Sequence, residues 1–398
     1  MNPARVDNFD LVAPPIAQTV QQRALVVGVI FGLVAAVFAF ISPDQFFHSY
    51  LIGFMLWLGA TLGCMAFLML QHLTGGAWGK VIRRMLEAGT RTLPLMAVLF
   101  LPLIFGMKHL YVWMNPQEVA KSPHLQDITR SYLSPAGYVG RAALYFAIWG
   151  ILVYFLNRLS AQQDNPPAVD LSPRFRVISG PGLVLYAFTI SFAVIDWVMS
   201  IDPHWISTIY PLIFIVGECL TALCMMVVVE TILFPYKPMS ALLRPKEVHD
   251  HGKLTLALVM LWAYFSFSQF LIIWAGNLPE EIPFYRLRLY SGWQQVGLFI
   301  VLGHFVLPFL FLLSRPFKRN PNTLVKLSMW LIFMRFVDLY WYIEPNFHKN
   351  LYFSALDIVV PVAIGGLWMA LFFRNLKQRP LLPLQDPKAW PLLEPAHD

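Results

Sequence analysis

Ten long stretches of this chain are almost purely apolar, at roughly 24–41, 46–70, 92–113, 138–156, 180–200, 205–234, 254–276, 293–313, 324–343 and 353–373. One bilayer crossing takes about 20 apolar residues, so each stretch is long enough to span. Hydrocarbon offers no hydrogen bonds, and a segment within it must pair its own backbone groups. The stretches also lack the alternation of barrel strands. The expected fold class is therefore an all-α integral membrane protein with ten transmembrane helices. Composition agrees: 13% of the 398 residues are charged, against about 25% in soluble domains.

Lys and Arg accumulate on the cytoplasmic side of membrane proteins. Here they gather in the two terminal segments and in the connections 71–91, 157–179, 235–253 and 314–323. Both termini are therefore expected to be cytoplasmic. The first stretch follows a polar lead, residues 1–23, with no small-residue cleavage pattern, and reads as a retained helix rather than a signal peptide. The net charge of +7 is then a topology signal. The basic runs KVIRRM and RPFKR need no nucleic acid to explain them, only inner connections or contact with anionic lipid headgroups.

Cys64, Cys219 and Cys224 lie inside apolar stretches. No CxxCH or cluster spacing accompanies them, so they read as packing residues and no covalently bound cofactor is expected. No metal site is expected either. His304 is the only histidine near a helix centre, and His249 and His251 in VHDHGK read as part of a solvated inner loop.

A pattern recurs in the chain. DWVMSIDPHW, from Asp196, is matched by DLYWYIEPNF, from Asp338. Asp196 meets Asp338, Asp202 meets Glu344, Pro203 meets Pro345 and Trp205 meets Phe347. TLGCM from Thr61 pairs with TALCM from Thr221, and WMNPQEV from Trp113 with WAGNLPEEI from Trp274. Together these map helices 2–5 onto helices 6–9, which implies two parallel-repeat four-helix bundles. The expected organisation is an N-terminal cytoplasmic segment (1–23), helix 1 with a short loop (24–45), a first bundle (46–204), a second bundle (205–352), helix 10 (353–373) and a Pro-rich cytoplasmic tail (374–398). Within the motif, Pro203 should end helix 5 and Asp202 cap helix 6. Trp197 and Trp205 suit an interfacial aromatic belt.

Ionisable groups inside a membrane are functional candidates by default, because insertion scales charge them roughly 2.5–3.5 kcal/mol each at the centre. In the first bundle Lys108, His109, Arg141 and Asp196 fall near the outer helix ends and would line an outward-facing polar pocket. In the second they run deeper. Glu218, His304 and Arg335 fall near mid-depth, Asp338 follows Arg335 on one helix face, Glu230 lies near the inner end and Glu344 at the outer end. Two readings stand for this row: a proton path, or a buried ion-pair network that holds the bundle together.

DWVMSIDPHWIST and FSFSQFLIIWAGNLPEEI, set in ten helices, resemble the F-subunit family of bacterial alternative complex III, quinone-binding subunit 2 of quinol:cytochrome c oxidoreductases. That family is similar to the polysulfide-reductase-type (NrfD-like) membrane anchors. The resemblance covers helices 2–9. It implies a quinol site at the outer side of the first bundle, which corresponds here to His109, Arg141 and Asp196 with Lys108 near. It also implies menaquinol or another quinone as the exchangeable ligand, with haem and iron–sulfur clusters on partner subunits. The implied partners are a sister NrfD-like membrane subunit, an iron–sulfur subunit, multihaem and monohaem cytochromes c, small membrane subunits and membrane lipid. The implied location is the bacterial inner (plasma) membrane.

The function then reads as a membrane subunit of a quinol:cytochrome c, or direct oxidase, oxidoreductase, not catalytic alone. It would supply architecture, a proton path and a quinone pocket. A secondary transporter with parallel repeats is the alternative, and a purely structural anchor is a third reading. Against the transporter, 254–276 and 293–313 lack the Gly/Pro breaks of a midplane substrate site, and RPLLPLQDPKAWPLLEPAHD reads as a partner-docking strap.

Overall fold

The computed structural model describes residues 11–383, 385–389 and 392, and among them every regular element is helical. The main helices are α1 (Ile16–Ile41), α2 (Pro43–Thr74), α3 (Ala77–Thr90), α4 (Leu93–Phe105), α5 (Pro135–Gln162) and α6 (Ser172–Trp197). They are followed by α7 (Tyr210–Leu233), α8 (Pro245–Gly276), the broken α9 (Trp293–Leu313), α10 (Pro321–Ile343) and α11 (Leu356–Leu376). Several begin on a proline whose fixed φ suits the first turn, as at Pro43, Pro135, Pro245 and Pro321. Ser134 caps α5 by accepting from the Gly137 amide at 3.1 Å.

Nine helices among the described residues are long and apolar enough to cross a membrane, with α3 and α4 forming one of them. The chain is thus an all-α protein of multi-pass character. The expected stretch 324–343 also forms a helix, the 23-residue α10. It falls outside the nine because Lys326, Arg335 and Asp338 crowd its length.

Burial sorts the helices. The apolar part of α2 is 94% buried, whereas that of α1 is 11% buried. Glycines explain the close packing at the centre. A Cβ on Gly63 of α2 would come within 2.2 Å of the Glu218 carbonyl oxygen on α7, and one on Gly59 within 2.9 Å of Glu218 Cγ. At the periphery, α1 rests on α11 where Gly28 meets Gly366 backbone to backbone. Its other face leaves Ile30, Leu33 and Phe40 exposed.

Several expectations need correction. α8 starts at Pro245, so VHDHGK is helical rather than a solvated loop, and His251 is fully buried. KVIRRM lies in α3, where Arg83 and Arg84 are buried against Glu87 and so cannot touch lipid headgroups. Asp202 does not cap the next helix, which begins eight residues later at Tyr210. Its carboxylate instead accepts the His204 amide at 3.2 Å and closes a turn. Trp197 and Trp205 are core residues, not an interfacial belt: Trp197 packs on Phe100 at 4.8 Å and Trp205 stacks on Phe284 at 4.0 Å.

Helix α9 is interrupted after all. Residues Val301–Val306 form a π-helix between two α segments. Pro308 has no N–H to return to the carbonyl of residue 304, which relaxes the ladder there. Trp330 Nε1 donates to the Gly303 carbonyl in this segment at 2.8 Å.

The described part of the tail folds onto its own chain. The Leu381 amide donates to the Leu11 carbonyl at 2.8 Å, and the Gln385 amide to the Gln163 carbonyl at 2.9 Å. Leu381, Leu382 and Ala389 are buried, and Arg83 reaches Asp386 at 3.2 Å. The outermost parts of the expected terminal segments, 1–10 and 393–398, lie outside the described residues.

Candidate functional site

The first-half candidates divide into two groups. Asp196, near the C-terminal end of α6, is fully buried. Arg141 of α5 grips it with two hydrogen bonds of 2.9 Å, and the Tyr145 hydroxyl donates to it at 2.8 Å. Bidentate guanidinium–carboxylate geometry is among the strongest pairings available. Both carboxylate oxygens are thereby engaged, and the Arg141 guanidinium also covers the Tyr132 ring at 3.9 Å. His109 sits elsewhere, hydrogen-bonded to Asp44 and stacked on Phe47 at 5.1 Å. Lys108 is exposed. No hydrogen bond joins His109 to Asp196 among the described residues.

The second-half candidates are buried, and each proton-accepting member has an open valence. Glu218 accepts the Tyr186 hydroxyl at 2.8 Å through Oε2, while its Oε1 has no partner. Arg335 pairs with Asp338 at 2.5 Å and lies against Gly217, the neighbour of Glu218, where a Cβ would stand 2.4 Å from Cζ. Trp262 donates to Asp338 Oδ2 at 3.3 Å, and Asp338 Oδ1 is left free. The His304 ring lies 4.1 Å from the Trp262 ring, with both its nitrogens buried and unpaired. Glu218, Arg335, Asp338 and His304 thus form one contiguous group around Gly217 and Trp262.

Glu230 and Glu344 lie outside that group. Glu230 pairs with His251 Nδ1 at 3.0 Å, and His251 Nε2 donates to the Trp78 carbonyl at 2.9 Å. Glu344 follows α10 and takes the Gln45 amide at 3.4 Å. Glu230 Oε2 and Glu344 Oε2 are again buried without a partner. No hydrogen bond links either residue to the central group among the described residues, so a continuous path needs water between them.

A cavity of about 360 Å³ opens beside Asp338 between α8, α9 and α10. Its walls include Trp262, Phe270, Tyr285 and Trp341, with Asp338 the only charged side chain among the described residues that line it. Trp341 Nε1 is buried without a partner. Phe267, Leu298 and Val301 line the cavity and are also exposed on the outer surface of the chain. An apolar recess with few polar groups is the usual make-up of a small-molecule site.

Sequence reasoning missed Tyr145, Tyr186, Trp262 and His251 as partners. A signal existed for Tyr145, four residues after Arg141 on one helical face. Tyr186 and Trp262 reach their carboxylates across helices, which spacing along the chain cannot reveal. No model of a known protein family matches the chain, and no curated protein matches it.

Proposed function

We propose that this chain is a membrane subunit of a quinol-oxidising respiratory complex of the alternative complex III type, with a proton path through its second half. One observation carries the proton path. Glu218, Glu230, His304, Asp338 and Glu344 are all buried, and each keeps at least one proton-accepting atom free of hydrogen bonds. Asp196, in the first half, has neither oxygen free. A network that served only to hold helices together would be expected to close its valences, because an unmet buried polar atom costs about 1–3 kcal/mol. Open valences along a row of titratable groups suit protons passed through intervening water.

The two-bundle arrangement of ten helices belongs to this proposal. Helices α2 and α7, which would open the two repeats, pack on each other at the glycine seam, an arrangement compatible with a twofold axis along the membrane normal between them. The outer candidates change role under this reading. Asp196 is saturated by Arg141 and Tyr145, so these three work as a clamp between α5 and α6. A quinone headgroup fits the second-half cavity better, where Asp338 Oδ1 and Trp341 Nε1 are free to take and give hydrogen bonds. Haem and iron–sulfur centres then belong to the partner subunits, and both termini face the cytoplasm of a bacterial inner membrane.

The π-helical break at His304 is the feature a secondary transporter would share. Gentle purification separates the readings. An iron–sulfur subunit, cytochromes c and a second membrane anchor should co-migrate with the chain. Isolation as a stable oligomer free of cytochromes would overturn the proposal in favour of a transporter.

A further inference from the structure

One end of the molecule gathers side chains that the sequence scatters. His48 stands in the second turn of α2, and Glu344 and His348 follow α10. One donor atom from each lies within 4.8 Å of the other two. Three atoms so spaced can be reached from one point at about 2.8 Å, and a contraction of less than about 1 Å per ligand brings them to zinc bonding distance.

The hydrogen bonds around the trio prepare it for a cation. His48 Nε2 donates to the His109 carbonyl at 3.3 Å, which leaves Nδ1 as the lone-pair nitrogen. That Nδ1 is buried and unpartnered, and so is Glu344 Oε2. A second ring nitrogen anchored to a carbonyl is the usual support of a metal-binding histidine. His348 Nε2 lies 3.7 Å from Glu344 Oε2 and 3.1 Å from Gln45 Oε1. Ligation through this nitrogen requires that its proton move to Nδ1 and that its hydrogen bond to Gln45 Oε1 be given up.

Charge points the same way. The Gln45 amide bridges two buried carboxylates, Glu344 at 3.4 Å and Asp357 at 3.1 Å. Neither forms an ion pair with Lys or Arg among the described residues. Asp357 also accepts the Ser49 hydroxyl at 2.6 Å and the Ser354 amide at 2.8 Å, so the acid oxygen left open for a divalent ion is Glu344 Oε2. The His348 side chain is 30% exposed and provides the way in.

The geometry points to a binding site for a divalent cation of the zinc class, held by His48, Glu344 and His348 with water completing the shell. Two imidazoles and one carboxylate select such an ion over magnesium or calcium, which prefer all-oxygen shells. The site does not rest on the proposed respiratory role, and an ion bound there would take the Glu344 oxygen out of the proton path, which would then run through Glu218, His304 and Asp338 without it. Glu344 and His348 are four residues apart in EPNFH, a spacing visible in the sequence, whereas His48 comes from the other end of the chain.

The test uses the full-length chain in detergent, stripped with chelator and titrated with Zn²⁺, and with Co²⁺ as a visible-absorbing probe. One equivalent of Zn²⁺ should bind, and Co²⁺ should give the intense visible bands of a four- or five-coordinate ion. Glu344→Gln and His348→Asn should each weaken Zn²⁺ binding about 100-fold or more, since even losing an outer support costs 10- to 100-fold. His348 is partly exposed, so His348→Asn keeps the test valid if Glu344→Gln fails to fold. His124→Ala, on an exposed histidine that stacks with His204, should change nothing. Absence of stoichiometric uptake, or uptake unaltered by His348→Asn, would overturn the assignment. Uptake abolished by His124→Ala would instead place the ion on the surface.

Discussion

Gly63 of α2 faces Glu218 of α7 so closely that a single added methyl group would come within 2.2 Å of the Glu218 carbonyl oxygen. The atom in the way is backbone, so it cannot swing aside as a flexible side chain could. This seam holds a titratable carboxylate at the meeting of the two halves, and it sets the first expectation. Gly63→Leu should separate α2 from α7 and lower stability by at least about 1–3 kcal/mol, the usual cost of overpacking. Gly150→Ala, where nothing lies within 4 Å of the added carbon, should be near neutral. Thermal unfolding in detergent compares the two.

Glu87 is the hub of a buried network on α3. It takes Arg83 at 3.0 Å, Arg84 at 2.8 Å and the Ser160 hydroxyl at 2.6 Å. Glu87→Gln would leave two buried guanidinium groups short of a counter-charge, and removing one partner of a buried pair costs about 3–5 kcal/mol. The loss should show as reduced thermal stability. Asp386→Ala should cost less and release the tail, read as faster proteolysis after residue 380.

The tail also has a pH signature. Hydrogen bonds from the Ser172 hydroxyl and then its amide, with Lys388 adding to them, hold Asp170 at about 2. Its folded value lies below the ordinary one near 3.8, so its contribution is complete above that value and lost as pH falls through about 2. A spin label introduced as Pro387→Cys should keep its mobility from pH 7 to pH 5 and loosen only below about pH 4. The pair is partly exposed, so the effect should shrink with added salt.

The cavity beside Asp338 gives a test of ligand placement. Ala263→Phe fills it from α8 and should weaken binding of a quinone analogue to the assembled complex at least 10-fold. Asp196→Asn should leave that binding unchanged. The opposite pattern would return the headgroup to the outer end of the first half.

How much of this could be read in the sequence follows from the range of each interaction. Spans were legible because lipid demands length and apolarity, both local properties of the chain. The burial of Glu218, His304, Arg335 and Asp338 was legible too, since each interrupts an apolar run. Partner choice was not: Tyr186 meets Glu218, and Trp262 meets Asp338, across helices that sequence spacing does not relate. The same limit hid the saturation of Asp196 by Tyr145 and the meeting of His48 with His348. Helix starts were misplaced at Pro245 and Ala77 because buried ion pairs and hydrogen bonds let charged sequence continue a packed helix.

The most direct measurement of the proposed role is proton movement per electron in the assembled complex, reconstituted in vesicles, with Glu218→Gln. Glutamine fits the same space and can still accept the Tyr186 hydroxyl, but it does not titrate. The expected result is fewer protons moved per electron with subunit composition intact. Unchanged proton movement in an intact complex would contradict the proton path and leave Glu218, His304 and Asp338 as architecture.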